Sequence, residues 1–165
     1  MKDLTRILTE STDADSIEQS VRYLVAEFTD DADPAEMRQT LASAASDPAR
    51  IDELISRLTL DSTLLEEVSL AVLSEAWDDP SRHEQISRIL ADAKTKLPVI
   101  EVSVLAISAL YGIYLFRTGG KKRTTRYVKR DKDGGFTLKE ETEYAEPNSV
   151  FRTILGIFDR QPPGA

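Results

Sequence analysis

The chain has 165 residues, 41% of them hydrophobic and 30% charged, with a net charge of −8 and no cysteine. That length supports one core, or one domain with an appendage, and the balance is far from the weakly hydrophobic, highly charged compositions of disordered chains. With no cysteine, disulfide frameworks, thiolate metal ligands and thiol nucleophiles are all excluded.

Charge is unevenly spread. Residues 1–97 hold 10 basic and 21 acidic side chains, whereas residues 117–165 hold 11 and 7. The acidic portion would repel phosphates, which argues against a nucleic-acid partner. Lys2, Asp3 and Arg6 are followed by no apolar run, so no secretory signal is read at the N-terminus and the expected location is cytoplasmic.

Residues 1–97 read as an acidic bundle of about six short helices. A weak first helix lies around Leu4 to Leu8. Ile17, Val21, Leu24, Val25 and Phe28 then recur at helical spacing and define an amphipathic helix over roughly Asp15 to Thr29. Asp33-Pro34, Asp47-Pro48 and Asp79-Pro80 each set an N-cap acceptor before a proline that has no N–H to satisfy, so each pair starts a helix. Glu36, three residues after Asp33, gives the first of these a capping-box-like form. Met37 and Leu41 mark one further apolar stripe and Ile51, Leu54, Ile55 and Leu58 the next. Leu64, Leu65, Val68, Val72 and Leu73 lie on a helix ending near Trp77, and Ile86, Ile89, Leu90 and Ala93 form the last stripe of the bundle.

Residues 98–116, PVIEVSVLAISALYGIYLF, are apolar nearly all round, with no continuous polar face. Such a helix is covered either by protein or by lipid. About 19 residues suit a bilayer crossing, and the basic cluster that follows would place the C-terminal side in the cytoplasm. That orientation forces the acidic bundle across a membrane without a signal, so burial among the chain's own elements is the favoured reading and membrane insertion the alternative. Ser108 and Gly112 stand four apart, a small-residue spacing that permits close helix approach. It serves either self-association into a homo-oligomer or packing within the chain.

Residues 117–165 read as a basic β-hairpin followed by a short helix. Lys122 to Arg130 and Phe136 to Tyr144 are the expected strands, joined at Asp133-Gly134-Gly135. Phe136, Leu138, Thr142 and Tyr144 share one face of the second strand, with Thr125 and Tyr127 expected to match them on the first. Arg117, Lys121, Lys122, Arg123, Arg126, Lys129 and Arg130 suggest an anion-binding run. A register pairing Lys129 with Glu140, Arg126 with Glu143 and Arg123 with Glu146 explains them more simply as cross-strand ion pairs. Asn148 is the expected cap of a helix carrying Val150, Phe151, Ile154, Leu155 and Phe158, ended by Pro162 and Pro163. The fold expected is therefore mainly α, or α+β once the hairpin is counted.

Nothing in this pattern proposes catalysis. His83 is the single histidine, and a base needs a nucleophile or a second titratable partner held in geometry. Asp30-Asp31, Glu66-Glu67 and Asp78-Asp79 lack the spacing of a calcium loop, and Gly119-Gly120 before Lys121 lacks that of a phosphate loop. A non-enzymatic protein-interaction module with no metal or cofactor is expected. Its candidate contact residues are Tyr111, Tyr114, Phe116, Arg123, Arg126, Tyr127, Phe136 and Tyr144.

The stretch ALYGIYLFRTGGKKRTTRYVKRDKDGGFTLKEETEY runs from a small-residue-rich apolar helix into a basic strand, a DG turn and a polar strand. In that order of features residues 98–145 resemble the effector-associated constant component class of bacterial conflict systems. The N-terminal helices are similar in number and size to death-fold-like adaptor domains. The resemblance implies a non-enzymatic adaptor that brings sensor and effector proteins together, and it carries over no functional residue. The long N-terminal bundle departs from that class.

Overall fold

The computed structural model describes residues 4–11, 14–30, 32–45, 47–95, 100–117, 125–130, 132, 134–141 and 154. Among them the chain is mainly helical. The helices are α1 (Leu4–Ser11), α2 (Ala14–Thr29), α3 (Pro34–Ala44), α4 (Pro48–Leu60), α5 (Ser62–Trp77), α6 (His83–Thr95) and α7 (Val102–Arg117). A 3-10 turn, Pro80–Arg82, leads into α6, and an antiparallel ribbon pairs β1 (Thr125–Arg130) with β2 (Phe136–Glu141).

The aspartate–proline pairs start helices as expected, though not all in the same way. The Asp33 carboxylate accepts from the Ala35 amide at 3.0 Å, and that of Asp79 from the Ser81 amide at 3.0 Å. Asp47 makes no such side-chain bond, so Pro48 begins α4 through its fixed φ alone. Asp61, which the sequence did not single out, caps α5 by accepting from the Leu64 amide at 3.1 Å. It allows α4 and α5 to follow one another with a single residue between them.

Helix α7 is the centre of the molecule. It packs against α2, α3, α4 and α5, and Leu105 through Leu110 are buried together with Gly112 and Ile113. A helix with no polar face can be buried on every side without stranding charge, and each enclosed Leu or Ile contributes about 1.5–3 kcal/mol. Its 16 residues span roughly 24 Å, short of a bilayer core of about 30 Å. No helix among the described residues is long and apolar enough to cross a membrane. Beyond this inner group, α6 lies on α2, β1 on α5, and β2 beside α1.

The closest approach in the core is between α5 and α7. A Cβ at Gly112 would stand 2.6 Å from Cγ1 and 2.9 Å from Cγ2 of Val72. Packing within the chain therefore occupies the flank that the small-residue spacing opens. One turn away, the buried Ser108 hydroxyl has no hydrogen-bond partner among the described residues, and the same is true of Ser69 on α5 and the amide oxygen of Gln19 on α2.

The ribbon differs from expectation in register. The expected pairing joins Lys129 to Glu140, but here Lys129 faces Thr137, Arg126 faces Glu140 and Val128 faces Leu138. The inner ends of the strands, Arg130 and Phe136, are those expected, and Gly134 between them takes φ +92°. A shift of three positions is odd, so it exchanges the faces: Phe136 is opposite Arg130, and Thr125 and Tyr127 alternate with that row instead of joining it. Docking onto the bundle accounts for the change. Val128 is 1% exposed, and its amide donates to Ser74 Oγ at 2.9 Å while that hydroxyl donates to the Leu70 carbonyl at 2.7 Å. Two strands of the ribbon alone would leave that edge amide without a strand partner, and α5 supplies the acceptor. Arg130 closes the seat, its Nε 3.0 Å from Glu66 Oε1 and its Nη2 3.1 Å from Glu66 Oε2.

Since Arg126 faces Glu140, it is not paired with Glu143 as expected. The pairing of Arg123 with Glu146 and the helix expected from Asn148 lie outside the described residues, apart from the buried Ile154.

Two substitutions test this packing. Gly112→Ala should destabilise the fold by about 1–3 kcal/mol, because the new methyl meets a branched side chain with no room to turn. If that contact is the cause, Val72→Ala in the same chain recovers part of the loss in a double-mutant denaturation cycle. Were Gly112 merely a weak helix residue, alanine would stabilise by up to about 1 kcal/mol instead. Ser74→Ala strands the Val128 amide and should cost about 1–3 kcal/mol, with faster hydrogen exchange at that amide.

Candidate functional site

Helices α2, α5 and α7 bring their C-terminal ends to one end of the bundle, where aromatic side chains gather. Phe28, next to last in α2, and Phe116, next to last in α7, meet edge to face with ring centroids 5.0 Å apart. The guanidinium of Arg82, which follows α5 by one turn of 3-10 helix, lies 4.6 Å from the Phe28 centroid and 5.2 Å from that of Phe116. Asp79 holds Arg82 from behind, its Oδ2 3.4 Å from Arg82 Nε. Aligned peptide dipoles leave partial negative charge at helix C-termini, so a cation is well placed where three of them converge.

Trp77, the last residue of α5, and His83, the first of α6, flank the turn that carries Arg82. Their rings stack at 3.8 Å with 12° between the planes, and His83 Nε2 is 2.6 Å from the Trp77 carbonyl oxygen. The last carbonyls of a helix lack intrahelical donors, and the imidazole N–H satisfies one of them. His83, the single histidine, is half-buried and committed to closing α5 onto α6.

Two carboxylates near this end are held below their ordinary pKa. Burial pushes Glu27 up, but hydrogen bonds from Gln85 and Arg88 and the charge of Arg88 outweigh it, with both donors 3.1 Å from Glu27 Oε1. Asp79 is held down chiefly by the Ser81 hydroxyl at 2.7 Å, then by the Ser81 amide and by Arg82.

The expected contact residues fall into two separate places. Tyr111 and Tyr114 are half-buried on the last turns of α7, their centroids 5.5 Å apart, and lead up to Phe116. Phe136 sits on the ribbon beneath Arg130, whose guanidinium is 4.7 Å above the ring and bound to Glu66. Glu66 precedes Trp77 by three turns, so this second group lies roughly 16 Å along α5 from the aromatic end. Arg126 and Tyr127 occupy β1 opposite Glu140 and Lys139, and Arg123 and Tyr144 lie outside the described residues. The eight residues therefore do not form one face.

Sequence reasoning missed Phe28, Trp77 and Arg82 as members of the cluster. Phe28 closes the apolar stripe of α2 and was read as core, yet it is 45% exposed. Among the described residues Leu60 and Val102 are the other exposed large apolar side chains, each alone at a helix terminus, an ordinary occurrence. Phe28 is different because it meets the half-buried ring of Phe116, which packs against the core. No group of three acidic or histidine side chains among the described residues is placed to hold a metal. No family model, curated protein or solved structure matches the chain.

The Glu27 contacts carry a testable pH dependence. A depressed carboxylate contributes stability that is present above its unfolded-state pKa and lost as pH falls through its lower folded-state value. Glu27→Gln should cost about 0.5 kcal/mol at neutral pH, a size typical of exposed ion pairs, and nothing once both states are protonated. A carboxyl NMR titration should give Glu27 a midpoint below the usual value of about 4.3, and a midpoint at or above that value would contradict the assignment.

Proposed function

We propose that this protein is a non-enzymatic interaction or adaptor module of a bacterial conflict or signalling system, acting in the cytoplasm and self-associating. The observation that carries the reading is the aromatic end of the bundle, where Phe116, half-buried against the core, holds the exposed Phe28 edge to face beside a cation. Rigid aromatics backed by core and rimmed by charge suit protein contact, because their ordering entropy has already been lost in folding. The resemblance of residues 98–145 to the effector-associated constant component class points the same way.

Membrane anchoring through residues 98–116 is the competing reading. The enclosure of Leu105 to Ile113 by four helices supports the first reading over it, since that surface would have to be uncovered before lipid could reach it.

Detergent-free fractionation and sedimentation test the proposal. The full chain is expected in the soluble fraction, sedimenting as a concentration-dependent mixture of monomer and oligomer, and Phe28→Ser should shift that mixture toward monomer. Recovery only with membranes would favour insertion. A strictly monomeric species that also fails to retain any co-purifying protein in a Phe28-dependent manner would remove the interaction reading altogether.

A further inference from the structure

Two phenyl rings at 62°, borne at the C-terminal ends of α2 and α7, together with the Asp79 carboxylate that pairs with Arg82, make a seat selective for a flat cation. We infer that this seat is a guanidinium-binding site for an arginine presented by a partner protein, and that Arg82 is its built-in plug. The inference rests on the interaction-module reading and names the chemistry of its partner.

The chain itself displays the ligand. The guanidinium of Arg82 reaches both rings, 4.6 Å and 5.2 Å from their centroids, and takes its carboxylate contact from Asp79 through Nε. Guanidinium is weakly hydrated and planar, so it stacks on an aromatic face while keeping its edge free for a carboxylate, which a compact ammonium does less well. The seat is open on one side: Phe28 is 45% exposed, and the Arg82 side chain retains 25% of its surface. Its plug is tethered lightly, because Arg82 ends a single 3-10 turn and its ion pair with the half-exposed Asp79 is of the kind that contributes little to stability. Displacing Arg82 therefore requires a side-chain rotation and no movement of a helix. Glu27, beside Phe28 in sequence, is already held by Gln85 and Arg88, but the Asp79 carboxylate that now pairs with Arg82 is left for an incoming cation once the plug turns away. Charge complementarity thus favours a basic segment over an acidic one. A tethered competitor lowers the apparent affinity for an outside arginine by the fraction of time the seat is filled.

The test uses the full chain with Arg82→Ala and titrates N-acetylarginine amide, following the ring resonances of Phe28 and Phe116 by NMR. Unplugging should give saturable binding in about the millimolar range, about tenfold tighter than in the wild type. N-acetylnorleucine amide, of similar length without charge, should produce no saturable shift. Phe28→Leu in the unplugged chain should abolish the response, with Trp77 fluorescence confirming that each variant is folded. Equal responses in wild type and Arg82→Ala, or an equal response to the norleucine probe, would overturn the assignment. If Arg82→Ala does not fold, Arg82→Met retains the aliphatic packing and gives the same comparison. Self-association that persists in a chain whose seat fails to bind arginine would leave the interaction-module reading standing and remove only the guanidinium site.

Discussion

A helix that is apolar on every side has to be surrounded, and α7 imposes that requirement on the rest of the chain. It is met by α2, α3, α4 and α5, which between them cover Leu105 through Leu110, Gly112 and Ile113. Each of these neighbours has an apolar stripe that cannot stay in water, and α7 supplies the common partner for all of them. Gly112 sets how close that partner comes, because Val72 fills the space where its side chain would be. Placing the apolar helix late in the sequence means that the earlier helices cannot complete their core until it has entered. The short apolar stretches of α3 and α4 alone would bury too little surface to hold their places.

From that arrangement follows the geometry of the aromatic end. Because Val72 of α5 lies opposite Gly112 of α7, and each stands five residues before the end of its helix, the two helices finish at the same level. Phe28 and Phe116 then meet, and the 3-10 turn after α5 brings the Arg82 guanidinium against both rings. Trp77 and His83 fix that turn by stacking and by the bond to the Trp77 carbonyl. The same packing that closes the core thus leaves aromatic surface at its rim, where the proposed contact with a partner is made. The ribbon is a separate feature, held on α5 by Ser74 and by the fork from Arg130 to Glu66.

Much of this was legible in the residues and part was not, for reasons that differ by element. Apolar periodicity and the aspartate–proline starts place all the helices from α2 to α6 to within a few residues, since both signals are local. For residues 98–116 composition allows protein or lipid as the surroundings, and the implausibility of moving an acidic bundle across a membrane favours protein, in keeping with the enclosure of Leu105 to Leu110. Charge pairing favours one ribbon register, whereas the burial of Val128 and its bond to Ser74, 54 residues away in sequence, impose another. Phe28 was read as core because a stripe shows which face of a helix is apolar and not where the neighbouring helix stops. The expected contact residues were similarly chosen by type, and only Tyr111, Tyr114 and Phe116 share the end at which Phe28 emerges.

The central claim is that protein, and not lipid, is the solvent of α7. Native-state hydrogen exchange in plain buffer measures this most directly, since amides in a fully enclosed helix open only through global unfolding. The account predicts that Ala106 to Ile113 are the slowest-exchanging amides of the chain and that added lipid vesicles leave their rates unchanged. Rapid exchange of that segment in buffer, slowed only when vesicles are supplied, would contradict it.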